Sequence, residues 1–239
     1  MLTRLNIRLT ICTILAFFVL IGLGIWQLQR LYWKDALIEK LQVRSTAIPL
    51  TLPKKLNNLE ELEFRRVVVS GKFIHKQEFY LVNRSLNGKP GLNILTFLKR
   101  TGGSGYVLVN RGWVPFENRD PKTRAIGQVK STVAIEGIIR LAKGPGVFTP
   151  DNESHNNTWF YVDPPAMAKV LGNQVLINHS PFYILSANQS PGGLPVGNQW
   201  KVNLRNEHLE YAITWFCLAA GLLIIFVLYH YRSSADGSK

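Results

Sequence analysis

The stretch LTICTILAFFVLIGLGIWQLQ, residues 9 to 29, decides the architecture of this chain because it contains no charged side chain. A second such stretch, YAITWFCLAAGLLIIFVLY, occupies residues 211 to 229. A hydrocarbon core about 30 Å thick is crossed by roughly 20 helical residues, so each stretch is long enough to span a bilayer. The pair predicts two transmembrane helices, over residues 9–29 and 211–231, with one domain between them.

A cleaved signal peptide is the alternative for the first stretch, since Arg4 and Arg8 precede it as a basic segment. The apolar run is long for a signal peptide, however, and it leads into Trp26 and Gln27 rather than into small residues typical of a cleavage site. Aromatic residues also flank both stretches, as is common at membrane interfaces; they are Trp26, Tyr32, Trp33, Tyr211 and Trp215. The sequence therefore favours two retained spans.

The orientation of the spans is only weakly indicated by charge. Arg4 and Arg8 before the first span are matched by Arg30 and Lys34 after it, and a long domain is translocated largely regardless of its charge. Both cysteines of the chain lie within the spans, so the intervening domain has no thiol. A domain without thiols suits an oxidising compartment but does not require one.

The chain is strongly basic, with 28 Lys and Arg residues against 15 Asp and Glu residues. Such an excess is typical of nucleic-acid binding, but here the bases form scattered pairs with little aromatic interleaving. Anionic lipid headgroups are the nearer partner for a domain held against a bilayer. We therefore expect membrane lipid as a partner and no nucleic acid.

The region between the spans changes from a helical to a strand periodicity. The helical pattern continues through residues 30–44, and residues 45–58 are predicted to form a loop. Alternating β-branched and aromatic residues bounded by turn residues then predict nine strands; these cover residues 64–73, 77–82, 92–98, 106–114, 132–140, 158–162, 175–178, 182–186 and 200–204.

One short helix interrupts the predicted strands. Asp163 is a good N-cap, Pro164 suits the first helical position and Gly172 can end the helix, with Met167, Val170 and Leu171 facing inward. The fold class is thus a membrane-anchored α+β protein whose mainly antiparallel domain is a sheet or a barrel. The expected segments are a cytoplasmic tail (1–8), a span (9–29), a helical extension (30–44), an extracytoplasmic domain (45–210), a second span (211–231) and a second cytoplasmic tail (232–239).

The usual motifs of metal sites and enzymes are missing from the sequence. Copper(I) sites use Cys and Met, whereas Met167 is the only such residue between the spans. The histidines there have no zinc-site spacing, and no nucleophile elbow, P-loop or dinucleotide fingerprint occurs. We expect no copper or zinc site and no enzymatic activity.

His208 is singled out by its position immediately before the second span. On a helix it shares one face with Ala212, Trp215 and Ala219, so that small residues leave a groove below the imidazole. A neutral imidazole at this place can ligate a haem iron. The alternative is an interfacial histidine on a face whose alanines, with Gly221, pack against Gly22 and Gly24 of the first helix.

A second constellation lies on the first helix, where Trp26, Arg30 and Trp33 follow at spacings of four and three. Arg30 can pair with haem propionates while the indoles stack on the macrocycle. The structural alternative is an aromatic belt with an arginine that extends to the interface.

The same residues resemble the Surfeit locus one family. The stretch GIWQLQR at 24–30, followed by Trp33 and Lys34, is similar to the opening signature of that family. Further similar blocks follow in order; they are EFRRVVVSGKF (63–73), VLVNRGWVP (107–115), EGIIR (136–140), PGGLPVGNQW (191–200) and LRNEHLEYAITWF (204–216). Together the blocks cover nearly the whole chain and include both spans.

The resemblance implies an assembly factor for cytochrome c oxidase that delivers haem a to the catalytic subunit or inserts it there. It also implies contacts with that subunit and with other assembly factors, and it makes His208 the haem ligand, while the roles of Trp26, Arg30 and Arg111 are not fixed by the family pattern. Because only eight residues precede the first span, we expect a bacterial inner-membrane protein with its domain in the periplasm.

Two other interpretations compete with a haem carrier. Two spans around an outside domain also occur in bacterial sensors, but residues 232–239 are too few for the cytoplasmic output module that a sensor requires. The stronger competitor is a membrane scaffold that stabilises oxidase assembly intermediates without binding haem. His208 is compatible with both the carrier and the scaffold.

Overall fold

The computed structural model describes residues 7–53, 58–103, 105–172, 181–199 and 206–236. Its elements follow in this order: α1 (Ile7–Thr46), β1 (Leu50–Thr51), α2 (Leu59–Leu62), β2 (Arg66–Leu86), β3 (Lys89–Arg100), β4 (Tyr106–Pro115), β5 (Val133–Leu141), β6 (Thr158–Trp159), α3 (Pro164–Leu171), β7 (Phe182–Ser186) and α4 (His208–Asp236). The chain forms two compact units, which we call the helical unit (Met1–Lys40 with Asn203–Lys239) and the β domain (Leu41–Val202).

The helical unit consists of α4 and most of α1, and both helices are long and apolar enough to cross a bilayer. The most apolar window has a mean hydropathy of 2.5 in α1 and 2.4 in α4, and only 11% of each window is buried. A core helix of a soluble protein would bury this surface, so the two helices indicate a membrane protein. α1 continues without a break to Thr46, beyond the apolar stretch.

The β domain is built on one seven-stranded sheet with the order β1-β2-β3-β4-β7-β5, to which β6 adds beside β2. The longer pairings, β2–β3, β3–β4, β2–β5 and β5–β7, are antiparallel. Three short pairings, β1–β2, β2–β6 and β4–β7, are parallel. The predicted mainly antiparallel architecture is confirmed, and the sheet is mixed rather than purely antiparallel.

The sequence is compatible with either a sheet or a barrel. The structure has a curled sheet that is not a closed barrel. β2 pairs with β5 through its first part and with β3 through the rest, which brings both sides of the sheet towards each other. The seam between β4 and β7 comprises only two residue pairs. β1 pairs with β2 at the start of the path, and β6 pairs with β2 off the path, so the strands do not form a regular ring.

Several predicted element boundaries differ from the structure. The two strands predicted over residues 64–82 are the single strand β2, which stays continuous through a register shift between Phe73 and Glu78. The predicted loop 45–58 contains β1, and the predicted strand 158–162 shortens to Thr158–Trp159. The helix α2 and the five 3₁₀ turns of the described residues are additional to the predicted elements. The predicted strands 175–178 and 200–204 lie outside the described residues.

Two large apolar clusters form the core of the β domain on the two faces of the sheet's long strands. In one of them the ring of Phe79 makes edge-to-face contacts with Phe97 at 5.8 Å and with Trp159 at 5.7 Å. Such pairs stabilise a core beyond the area that they bury. Met167 of α3 is fully buried in the same cluster.

The short helix α3 begins and ends where the sequence predicts. The Asp163 carboxylate accepts a hydrogen bond from the Ala166 amide at 3.0 Å, and Gly172 follows the helix with a φ of 95°. The left-handed φ favours glycine at this position. One predicted inward residue is wrong, since Val170 is 42% exposed, while Leu171 packs against the core as expected.

Candidate functional site

One face of α1 packs on α4 within the helical unit. A side chain at Gly24 would meet the ring of Phe216, whose Cε1 lies 2.6 Å from the position of an added Cβ. Residues 24, 27, 31 and 35 are spaced by three and four, so they share this face. This face begins at Gly24 in the apolar stretch and continues to Asp35, beyond the end of that stretch.

His208, the first residue of α4, is bonded to this face. Its Nδ1 donates a hydrogen bond to Gln27 Oε1 at 2.7 Å, and the ring is half-buried. Among the described residues, Nε2 has no hydrogen-bond partner. A histidine that ligates a metal through one nitrogen usually donates the other N–H to a neighbouring acceptor, which fixes the ring and its tautomer. The contact with Gln27 gives His208 this arrangement.

Asn206 adds a second polar contact between the helices. Its Nδ2 donates to Asp35 Oδ1 at 2.7 Å and lies 3.5 Å from the carbonyl oxygen of Leu31. Asn206 and His208 therefore hold the start of α4 against α1 at two points, two helical turns apart along α1. Both contacts connect residues more than 170 positions apart in the sequence.

The predicted groove below His208 is not open. Ala212 and Ala219 are only 1% exposed, and Ala212 lies between His208 and Phe216, which both contact α1. The burial of the two alanines and the contact of Gly24 with Phe216 agree with the packing alternative for this face. It is wrong for Gly22 and Gly221, since an added Cβ at either position would meet nothing within 4 Å.

A separate stripe on α1 consists of Trp26, Arg30 and Trp33. It begins one residue before Gln27 and therefore faces a different direction from the Gln27 face. The guanidinium carbon of Arg30 lies 4.8 Å from the centre of the Trp33 ring, and all three side chains are exposed. Trp215 is half-buried on α4. Among the described residues, no hydrogen bond or ring contact joins the Arg30–Trp33 pair to His208.

The β domain holds a buried ionic cluster at a place that the sequence did not indicate. Glu78 of β2 accepts hydrogen bonds from Arg111 of β4 at 3.0 Å, from Gln128 at 2.9 Å and from both terminal nitrogens of Arg124, with Arg124 Nη1 at 3.1 Å from Glu78 Oε1. The three charged side chains are at most 4% exposed. The two guanidinium groups and one carboxylate leave the cluster with one net positive charge.

The ionisation of this cluster follows from burial and the arginines. Burial would raise the pKa of Glu78, but the hydrogen bonds from Arg124 and Gln128 and the charges of both arginines hold that pKa below its ordinary value. Burial lowers the pKa of His75, and Arg111 and Arg124 lower it further. Glu78 is therefore ionised and His75 neutral at neutral pH.

His75 completes the cluster as a hydrogen-bonded neighbour of Arg111. Its Nε2 donates to the carbonyl oxygen of Val129 at 2.8 Å, which leaves Nδ1 as an acceptor 3.5 Å from Arg111 Nη1. In the part of the chain that the structure describes, no group of three or more His, Cys, Asp or Glu residues could hold a metal ion.

Comparison with known proteins assigns the family. The SURF1 family model matches residues 14–220 of the chain. The protein "Surfeit locus protein 1" of Homo sapiens is 38% identical over 216 residues, which cover 83% of this chain and 70% of that protein. This chain belongs to the SURF1 family. The "Surfeit locus protein 1" of Takifugu rubripes is 37% identical over 214 residues, which cover 83% of this chain and 87% of that protein. A "SURF1-like protein" of Monosiga brevicollis is 34% identical over 223 residues, which cover 87% of this chain and 82% of that protein.

In this SURF1 family member, sequence reasoning missed the residues that hold the site together. Gln27 and Asp35 lie beside the conspicuous Trp26–Arg30–Trp33 stripe, and only the packing of α4 shows that they face His208. A signal was present, since Gln27 is a polar side chain within an apolar span, and such residues usually face another helix. Glu78 and Arg124 gave no comparable signal.

Proposed function

We propose that this SURF1 family member is an assembly factor for cytochrome c oxidase that binds haem a through His208 and aids its insertion into the catalytic subunit. Family membership supports the assembly role. The single observation that supports haem binding is the His208–Gln27 pair at the end of two apolar helices, which leaves the other ring nitrogen without a partner among the described residues. The proposed role is non-catalytic.

The chemistry of His208 fits an axial haem ligand. Haem iron is commonly held by a neutral imidazole, and the bond from Nδ1 to Gln27 favours the tautomer whose Nε2 is free to donate its lone pair. Gln27 is thus proposed as the positioning residue for the ligand.

The exposed stripe on α1 supplies the chemistry for the rest of a haem. Arg30 stacks on Trp33 and keeps its guanidinium accessible, and guanidinium groups form paired hydrogen bonds with carboxylates such as the haem propionates. Trp26, Trp33 and Trp215 provide indole surface for the macrocycle. We assign these four residues a binding role that is secondary to His208.

We further propose that the protein resides in the inner membrane of a bacterial cell with the β domain in the periplasm. There it would contact the catalytic subunit and other assembly factors, and its basic surface would lie near anionic lipid headgroups. The two apolar helices support a membrane location.

The test is the absorption spectrum of full-length protein purified from cells that make haem a. We expect a Soret band for the wild type and its loss in His208→Ala. The matched control is His230→Ala, the same change near the other end of α4, which should keep the band. A colourless wild-type protein on which oxidase assembly still depends would contradict haem binding.

One observation favours the alternative of a scaffold that does not bind haem. Val147 and Phe148 stand side by side in the loop after β5 and are 95% and 98% exposed. Exposed apolar side chains that adjoin one another can form part of a contact surface. A scaffold predicts that Phe148→Ser impairs oxidase assembly while His208→Ala does not, whereas the carrier predicts that His208→Ala impairs it.

A further inference from the structure

Arg111 does not use all of its hydrogen-bonding capacity within the ionic cluster. A guanidinium carries five N–H groups, and three acceptors face it, namely Glu78 Oε1, His75 Nδ1 and the carbonyl oxygen of Gly127. Two N–H groups thus have no acceptor among the described residues. An N–H group without an acceptor in the protein can donate to a ligand, so this edge of Arg111 is available to one.

The free edge of Arg111 adjoins a cavity of about 240 Å³ in the β domain. Its walls include the apolar side chains of Phe73, Val133 and Ile135, and its rim includes Asn188. The Phe73 ring centre lies 5.1 Å from the guanidinium carbon of Arg111 and orients the side chain. Among the described residues that line the cavity, Arg111 is the only charged one.

The charge balance favours an anion of a single charge. The cluster behind Arg111 carries one net positive charge, because Glu78 offsets only one of the two guanidinium groups and His75 is neutral. Burial lowers the pKa of Arg111 to about 10, so the group stays charged at neutral pH. A monoanion would neutralise the cluster, whereas a neutral ligand would not.

We propose that this cavity is a binding site for a small carboxylate with a short apolar body, held by the free edge of Arg111. The carboxylate pairs with the guanidinium in the geometry that arginine favours, and the apolar body contacts Phe73, Val133 and Ile135. The cavity is slightly smaller than the pockets of about 300–1,000 Å³ that hold drug-sized ligands, which sets the size of the acid. The site lies within the β domain and does not depend on haem binding.

The experiment is a titration of the full-length protein in detergent, once with benzoate and once with benzamide. Binding is detected by saturation-transfer NMR. Benzamide has nearly the shape of benzoate without its charge. We expect saturable binding of benzoate that is at least tenfold tighter than that of benzamide. Arg111→Gln should weaken benzoate binding at least tenfold and leave benzamide binding unchanged.

A second variant tests the cavity without altering the ionic cluster. Ala134 is exposed at the cavity wall, so Ala134→Leu should narrow the opening and weaken benzoate binding at least tenfold. The matched control is Ala125→Leu, the same change at an exposed residue outside the lining, which should bind benzoate within twofold of the wild type. Equal binding of benzoate and benzamide, equal binding by the two leucine variants, or no saturable binding of benzoate would overturn the proposal.

Discussion

The helical unit and the β domain both place polar side chains in their interiors, but they use them in opposite ways. In the β domain, Glu78 is surrounded by Arg111, Arg124 and Gln128, and its carboxylate is fully engaged. In the helical unit, His208 has one hydrogen bond, to a neutral amide, and its other ring nitrogen has no partner among the described residues.

The difference separates a structural role from a binding role. A carboxylate whose bonds are all made within the chain connects strands and has nothing left for a ligand. A histidine that is held through one nitrogen and free at the other has the form of a prepared metal ligand. Arg111 combines both roles. It pairs with Glu78 in the cluster, and its free edge faces a cavity.

The largest effect is expected from breaking the ionic cluster. Glu78→Gln removes the one carboxylate that, among the described residues, pairs with the two buried guanidinium groups, and breaking a buried ion pair from one side costs about 3–5 kcal/mol. We expect a loss of that size in the free energy of unfolding of the β domain. The measurement is urea-induced unfolding of the full-length protein, followed by fluorescence.

The matched control for that prediction is Glu136→Gln. Glu136 pairs with Arg66 on adjacent strands, and both side chains are about one-third exposed. An exposed pair contributes only about 0.2–1 kcal/mol. Equal losses in the two variants would show that the buried cluster has no special structural role.

The next largest effect concerns the packing of α1 on α4. Gly24→Leu forces a side chain into the ring of Phe216, and overpacking of this kind costs about 1–3 kcal/mol. We expect the helices to separate at lower SDS concentration and the proposed haem binding to be lost. Gly22→Leu is the control, since nothing lies within 4 Å of the added Cβ; haem loss in that variant as well would argue against helix packing as the cause.

The smallest effect is a pH dependence that belongs to the β domain alone. The folded state lowers the pKa of His75 below its ordinary value of 6.5, so the unfolded chain binds the proton first as the pH falls. Stability should therefore decrease as the pH falls from 7.5 to 5.5, and His75→Asn should flatten this dependence. The Glu78 contribution is lost only at lower pH, because its pKa lies below the ordinary range.

The control for the pH series is His155→Asn, the same change at an exposed histidine of the β domain. It should keep the wild-type slope of unfolding midpoint against pH. A flat wild-type profile over this range would refute the assignment of His75.

The spans and α3 could be predicted from the sequence because their signals are local. The charge-free stretches are long, and Asp163, Pro164 and Gly172 are in place within ten positions. The continuity of β2 could not be predicted, because the strand passes residues 74–76 through a register shift against β3. Such a shift depends on pairing with a strand that lies further along the chain, so a local pattern does not show it.

The site was only half predictable for a related reason. His208 stands out by its position before a span, but its partner Gln27 is 181 residues away and depends on how α4 packs. The cluster joins Glu78 to residues 33 to 50 positions further along the chain. The hydrophobic periodicity of the sequence does not show that these segments lie together. Contacts of this length follow from topology rather than from local pattern.

The most direct test of the central claim is the affinity of the purified full-length protein for haem a, measured by Soret absorbance during titration in detergent. The account predicts that His208→Ala weakens binding at least a hundredfold and Gln27→Leu about tenfold, as removal of a supporting partner typically does, while His230→Ala binds as the wild type does. Equal affinity of wild type and His208→Ala would contradict the account.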